Sequence, residues 1–201
     1  ARRARAEGWA DTVAGDMERH YSPGRTWETL ARAMTQLVDA GDVLDIASGD
    51  GVLAELLAPR ARSIVCLDAS ARVVSAARER LKNHQNVEVV SGDMHALDLG
   101  RRRFDLVLLM HALTFSEEPA RVVAEAARVL AKGGRLLVAT LGKHAHRSAV
   151  EPFDHRNLGF KPADLRTFAT DAGLEVLSCE RISREAKAPH FEVLSLLARK
   201  P

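Results

Sequence analysis

A doubly wound α/β fold is predicted for this chain, with a seven-stranded, mostly parallel sheet, helices on both faces and an antiparallel last strand. Three observations predict it. From residue 42 onward, short apolar runs alternate with segments of helical periodicity, the pattern of strand–helix–strand units. Some of these runs, such as Leu106-Val107-Leu108-Leu109, are continuously apolar, as expected of strands covered on both faces. The last two runs have only a loop between them, which calls for an antiparallel pair.

Each element follows from local signals. Residues 4–20 and 26–40 read as two helices parted by the turn Tyr21-Ser22-Pro23-Gly24. Thr26 caps the second, and Leu30, Met34, Leu37 and Val38 fall on one of its faces. Strand one covers 42–47, and a helix over 52–58 follows, closed by Pro59. Strand two, 63–67, ends at Asp68, and Ser70 caps a helix running to Lys82. Strand three, 87–90, leads into Ser91-Gly92-Asp93, and strand four covers 104–109. Pro119 opens a helix through Ala131 that Gly133-Gly134 ends, ahead of strand five at 135–141. A helix over 162–172 is closed by Gly173, and strands over 174–182 and 191–199 finish the chain. The weakly periodic stretch 142–161 is expected to be a long loop over the site. The chain thus divides into an N-terminal helical lid segment, 1–40, and a sheet domain, 41–201, one structural domain in all.

Composition narrows the function classes. Of 201 residues, 46% are hydrophobic and 28% charged, which is the balance of a soluble globular protein. A net charge of +2 does not imply nucleic-acid binding, and 4% aromatic residues offer no base-stacking surface. Two cysteines without a Cys-x-x-Cys spacing point to a reducing cytoplasm, with Cys66 a core residue. No run is long and apolar enough for a membrane span.

The chemistry concentrates in Val43-Leu44-Asp45-Ile46-Ala47-Ser48-Gly49-Asp50-Gly51, a strand that ends near an acid and turns through a small-residue loop into a helix. Such a turn lets a ligand approach the backbone and the helix N–H groups. Gly49-x-Gly51-x-x-Ala54 fits a loose dinucleotide fingerprint. Asp45 and Asp50, however, would repel a pyrophosphate and suit the ammonium and sulfonium of S-adenosylmethionine. Ligands of open α/β sheets bind at the carboxyl ends of the strands, where Asp45, Asp68, Asp93 and Met110-His111 stand. Asp68, 23 residues after Asp45, is placed to accept two ribose hydroxyls. Asp93 and Met94 can bracket an adenine. Strand-end acids also cap helices, so each alone has a purely structural reading.

These motifs resemble the class I S-adenosylmethionine-dependent methyltransferases, which have a Rossmann-like fold. The strand-one loop looks like their first motif, Val65-Cys66-Leu67-Asp68 their second-strand acid and Ser91-Gly92-Asp93-Met94 their adenine motif. Phe104-Asp105-Leu106-Val107 resembles their fourth strand, and 128–136 their turn into the fifth. The resemblance covers 41–141 motif by motif, and it departs from the family at Ala47, where Gly is usual. It implies S-adenosyl-L-methionine as cofactor, S-adenosyl-L-homocysteine as product and a small-molecule methyl acceptor. It places Asp45, Ala47, Ser48, Gly49, Gly51, Asp68, Ala69, Gly92, Asp93, Met94, Met110, His111 and Tyr21 around the cofactor.

For proton removal, the candidates are His111 at the end of strand four and Tyr21 in the N-terminal turn; both also have structural readings. His144-x-His146 is a weak metal signal, so no metal is expected, and His190 reads as structural or as a pocket edge. Two cysteines disfavour arsenite as acceptor, and Met110-His111-Ala112-Leu113 lacks the motifs of DNA-base methylation. Glu7-Gly8-Trp9, 21–27 and Pro189-His190-Phe191-Glu192-Val193 further resemble the domain fused behind arsenic-repressor-type winged helices. That resemblance implies a missing N-terminal DNA-binding domain and a non-catalytic sensing role as the alternative. An NAD-dependent oxidoreductase is a weaker alternative. The acceptor's identity and the oligomeric state are not legible.

Overall fold

The computed structural model describes Thr12, Pro23, Gly24 and residues 26–201. The expected helix over 4–20 and Tyr21 lie outside the described residues. The chain forms two compact units, 1–38 and 39–201. In the first, helix α1 (Trp27–Met34) is capped by Thr26, whose Oγ1 accepts from the Thr29 N–H at 3.1 Å. A 3-10 turn, Thr35–Leu37, replaces the last turn of the predicted helix.

The second unit is a seven-stranded sheet with strands β1 (Gly41–Ile46), β2 (Ala61–Asp68), β3 (Val87–Ser91), β4 (Phe104–Met110), β5 (Leu130–Leu141), β6 (Glu175–Arg184) and β7 (Glu192–Arg199). The strand order is β3-β2-β1-β4-β5-β7-β6, and β7 runs antiparallel to both of its neighbours. The order reverses between β1 and β4, so the switch point lies beside the glycine loop. The helices are α2 (Val52–Leu57), α3 (Ala71–Leu81), α4 (Pro119–Val129), α5 (Arg147–Val150) and α6 (Pro162–Asp171).

Side-chain alternation explains the layers. Leu44, Val65, Val107, Leu136 and Ala198 are in register across five strands and share one buried cluster with α4 and α6. The neighbouring positions Val43, Ile64 and Leu106 are also buried, and so are Ala54, Val74, Ala77 and Leu81 of α2 and α3. Both faces of the central strands are therefore withdrawn from water, which is what their continuous apolar runs require. Asp45 aligns with Cys66 and Leu108 and belongs to this second face.

One boundary differs from expectation. Gly133-Gly134 do not end α4; it stops at Val129, and Leu130 already pairs with Phe104. The glycines lie in a register shift before regular pairing resumes at Arg135. The Lys200 ammonium closes the helix end, donating to the carbonyls of Ala127 (2.8 Å), Arg128 (3.3 Å) and Leu130 (3.0 Å).

Candidate functional site

A cavity of about 440 Å³ opens at the carboxyl edge of β1, β2 and β3. Seven predicted residues line it: Ala47, Gly49, Asp68, Ala69, Gly92, Asp93 and Met94. The sequence reading missed four others, Leu67, Val73, His95 and Phe115. Phe115 lies beyond β4 in a 3-10 turn, where no periodicity marks it, whereas His95 follows the recognised acid by two residues.

The acids are already partly engaged. Asp68 Oδ2 accepts the Gly49 N–H at 3.1 Å, and Oδ1 accepts the Ser70 N–H at 2.9 Å. Each oxygen keeps a second lone pair, so the carboxylate both shapes the loop and retains capacity for hydroxyl donors. Asp93 Oδ1 accepts the backbone N–H of His95 at 2.8 Å and faces its Nδ1 at 2.7 Å. His95 Nε2 lies 2.8 Å from the Oγ of fully buried Ser116, which also accepts the Glu118 N–H at 3.0 Å. A carboxylate only accepts, so Nδ1 carries a proton, and a neutral ring then takes the Ser116 hydroxyl proton at Nε2. These bonds, that of the His95 backbone first, hold the Asp93 carboxyl below its ordinary pKa. Asp93 Oδ2 has no partner among the described residues.

Beneath the loop, Asp45 is only 2% exposed and does not line the cavity. Burial, reinforced by the Asp68 carboxylate, pushes its pKa up to about 7. Burial and Asp45 likewise push the Cys66 thiol up to about 12, which fits an inert core residue. Ser48 Oγ is buried without a partner. Asp50 departs from its predicted role: it pairs with Arg80 of α3 at 2.9 Å and is absent from the cavity wall. The electrostatic case against a pyrophosphate therefore rests on Asp45 and Asp68, not on Asp50. Gly51 faces away from the cavity too. Its φ is +85°, and a β-carbon there would lie 2.6 Å from Leu81 Cδ1, so the glycine lets the loop close onto α3. At Gly49, φ +58°, an added β-carbon would meet nothing within 4 Å.

His111 follows β4 in the left-handed region, φ +59°, with its N–H bonded to Ala139 O at 2.7 Å. It lines a second cavity of about 450 Å³, which shares Phe115 with the first. Although exposed by area, its ring is partly desolvated by the cavity walls, which lowers its pKa; the Glu185 carboxylate pulls the other way. Met110 lines neither cavity. The stretch 142–161 does not form a plain loop. It holds α5 and a 3-10 turn, Glu151–Phe153, and supplies Ala149, Val150, Phe153 and His155 to the second cavity. Asn157 ties it down, donating from Nδ2 to Leu113 O (2.9 Å) and Ser116 O (3.0 Å). His144 and His146 stack with ring centroids 6.0 Å apart. Among the described residues no group of three His, Cys, Asp or Glu side chains is placed to hold a metal ion. His190 is structural, its Nδ1 lying 3.1 Å from Glu185 O across the β6–β7 turn.

The strand order, the reversed β7 and the acid-bearing carboxyl edge are those of the methyltransferase version of the Rossmann-like fold. Residues 44–138 match the family described as "methyltransferase domain". A demethylmenaquinone methyltransferase of Renibacterium salmoninarum is 31% identical over 115 residues, 57% of this chain and 47% of that protein. The chain spans about half the length of the curated relatives it matches. Among solved structures, the N-methyltransferase NodS of Bradyrhizobium japonicum, in complex with S-adenosyl-L-homocysteine, superposes with a TM-score of 0.68 at 17% identity, covering 94% of this chain and 91% of that one. The (4+2)-cyclase SpnF superposes with a TM-score of 0.72 at 23% identity, covering 90% and 85%. These matches make residues 44–138 similar in sequence to a methyltransferase domain and give the sheet the fold of the methyltransferase structures. They lend no support to the winged-helix fusion or to an NAD-dependent oxidoreductase. No helix among the described residues is long and apolar enough to cross a membrane.

Proposed function

We propose that this chain transfers a methyl group from S-adenosyl-L-methionine to a small-molecule acceptor, with the cofactor in the first cavity and the acceptor in the second. The observation that carries this reading is the convergence of Asp68, Asp93 and Met94 on one cavity at the switch point. The residues present fit the cofactor. Asp68 has free lone pairs for ribose hydroxyls, Asp93 Oδ2 for an adenine amino group, and Val73, Met94 and Phe115 supply apolar surface for the ring. Ala47, Ala69 and Gly92 keep the walls low, and Ser48, Gly49 and Gly51 shape the loop over the methionine end, with the Asp45 carboxyl buried beneath it. When bound, the cofactor supplies an electrophilic methyl group on a sulfonium sulfur. The protein's part is to exclude water, align the acceptor and take its proton. His111, just after β4 on the wall of the second cavity, stands ready for this, and a neutral His111 can accept a proton. Tyr21 belongs to the proposal on sequence grounds alone. Fold does not by itself fix chemistry, and a cyclase has the same architecture.

The test is calorimetric titration with S-adenosyl-L-methionine, S-adenosyl-L-homocysteine and NAD. Micromolar binding of the first two without NAD binding is expected. Asp68→Ala should weaken that binding by about 1.5–3 kcal/mol, the scale of hydrogen bonds to a charged group. Binding of NAD alone would overturn the reading.

A further inference from the structure

The segment that follows β3 is braced from α4 by three side chains. Arg121 Nε donates to the His95 carbonyl at 2.9 Å, Glu125 Oε2 accepts the Leu97 N–H at 2.7 Å, and Arg128 Nη2 donates to the Leu97 carbonyl at 2.8 Å. Asp93 and His95 both line the first cavity from this segment. Asp93 Oδ1 meets the backbone N–H of His95 at 2.8 Å and its Nδ1 at 2.7 Å, and His95 Nε2 meets Ser116 Oγ at 2.8 Å. Acid, imidazole and hydroxyl in this order form a nucleophilic triad in some hydrolases. Here Ser116 is fully buried and its Oγ also accepts the Glu118 N–H at 3.0 Å, so it is out of reach of a substrate. The chain of bonds instead runs outward, from a dry hydroxyl to a carboxylate whose side chain is 64% exposed. With Oδ1 held by two donors, Oδ2 is the oxygen left for a ligand, and turning the carboxylate would break both bonds. We infer that His95 and Ser116 are positioning residues that pin Asp93, so that the first cavity selects a base presenting an N–H donor to Oδ2 over one presenting an oxygen; this rests on the cofactor reading above.

The selectivity comes from the pinning. A hydrogen bond at one ring nitrogen decides which nitrogen holds the proton. Ser116 occupies Nε2, so Nδ1 keeps its proton for Asp93. The His95 bonds, that of its backbone first, also hold the Asp93 carboxyl below its ordinary pKa, which keeps it an acceptor. A 6-oxo purine has an oxygen where adenine has its amino group, with a ring N–H beside it. A carboxylate free to swing would follow that N–H and bind either base. A pinned one meets the oxygen lone pair to lone pair, and its own charge is left without a donor. Locking a recognition group through bonds to residues behind it is how a site keeps such geometry. Phe115, on the same cavity wall, directly precedes Ser116, so the His95–Ser116 bond also ties down the 3-10 turn that carries it.

The test compares S-adenosyl-L-homocysteine with its 6-oxo analogue, S-inosyl-L-homocysteine, by calorimetric titration of the whole chain. The wild type should prefer the amino form by at least about tenfold, the scale of one hydrogen bond to a charged group. His95→Leu should remove most of that preference, and Ser116→Ala part of it. His95→Asn, whose amide nitrogen can stand near the place of Nδ1, should restore it. Nitrogen NMR at pH 8 reads the linkage without any ligand: the wild-type His95 ring should hold its proton on Nδ1 with Nε2 accepting, and Ser116→Ala should lose that fixed tautomer. Should His95→Leu fail to fold, the wild-type tautomer and the Ser116→Ala preference still decide. A wild type that binds neither compound would overturn the cofactor reading and this inference with it. If S-adenosyl-L-homocysteine binds, three results would overturn the inference and leave the cofactor reading standing. They are equal affinity for the two forms, equal losses of both in the variants with their ratio unchanged, and a wild-type ring protonated on Nε2 alone.

Discussion

The two ends of the sheet are built to opposite rules. At the amino end, charges are paired: Arg62 donates to both Asp42 oxygens at 2.9 and 2.6 Å and to Asp105 Oδ2 at 2.8 Å, and Ser63 Oγ donates to Asp42 at 2.7 Å. Most of the charged groups that line a hollow of about 410 Å³ there have partners, among them Arg102, paired with Glu88 at 2.6 Å. At the carboxyl end, polar groups are left wanting: Asp45 is buried with a raised pKa, Ser48 and His155 have buried atoms without partners, and Ala47 and His111 hold left-handed backbones. A satisfied end has nothing left to offer a ligand. The strained, unsatisfied end has been held in place by the rest of the fold, which is how functional sites persist. Similar cavity volumes at both ends show that volume does not locate the site; unmet bonding capacity does.

The largest expected effect comes from breaking the loop at the carboxyl end. Gly51→Ala adds a left-handed non-glycine residue, costing about 1–2 kcal/mol. It also drives a methyl group to 2.6 Å from Leu81 Cδ1. Overpacking of this kind costs about 1–3 kcal/mol, so urea denaturation should show a loss of about 2–5 kcal/mol. A loss under about 1 kcal/mol would mean that α3 yields easily and that the loop is not pinned against it.

Next is Asp45→Asn. The wild-type carboxyl has a pKa of about 7 in the fold against 3.8 as its ordinary value. Between these pH values the folded protein holds a proton the unfolded chain has released, so stability falls as pH rises through that window and levels off above it. The amide has no such decline. At pH 8 the variant should be the more stable, by at most about 4 kcal/mol, while the two should converge toward pH 4. Paired denaturation curves at pH 4, 6 and 8 check this, and a difference independent of pH would show that Asp45 is not held neutral.

Most of the fold was legible because burial on both faces writes itself into continuous apolar runs, as in Leu106–Leu109. The first cavity was legible because its acids sit at strand ends, at fixed offsets from a recognisable loop. The pairing of Asp50 with Arg80 was not, since the partner lies thirty residues away on another helix. Phe115 and His155 were not either: they reach the second cavity from a 3-10 turn and a tied-down segment, neither of which has a period. Loops that build an acceptor pocket are set by tertiary contacts such as those of Asn157, not by local pattern.

The smallest expected effect is the most discriminating. Ala47 stands at φ +56°, where the methyltransferases that its loop resembles usually have glycine. Ala47→Gly should relieve about 1–2 kcal/mol of left-handed strain. Against this, glycine loosens the unfolded chain by about 0.5–1 kcal/mol, and losing a partly buried methyl gives up as much as about 0.8 kcal/mol. These terms nearly cancel, leaving the variant between about 0.8 kcal/mol less stable and about 1.5 kcal/mol more stable than wild type. Because Ala47 lines the first cavity, removing its methyl group also lowers that wall, and under the proposed function S-adenosyl-L-homocysteine affinity should hold or rise. A variant less stable than wild type by more than about 1 kcal/mol would mean that the methyl's packing against the core outweighs the strain, and that Ala47 is there for the fold and not merely tolerated by the site.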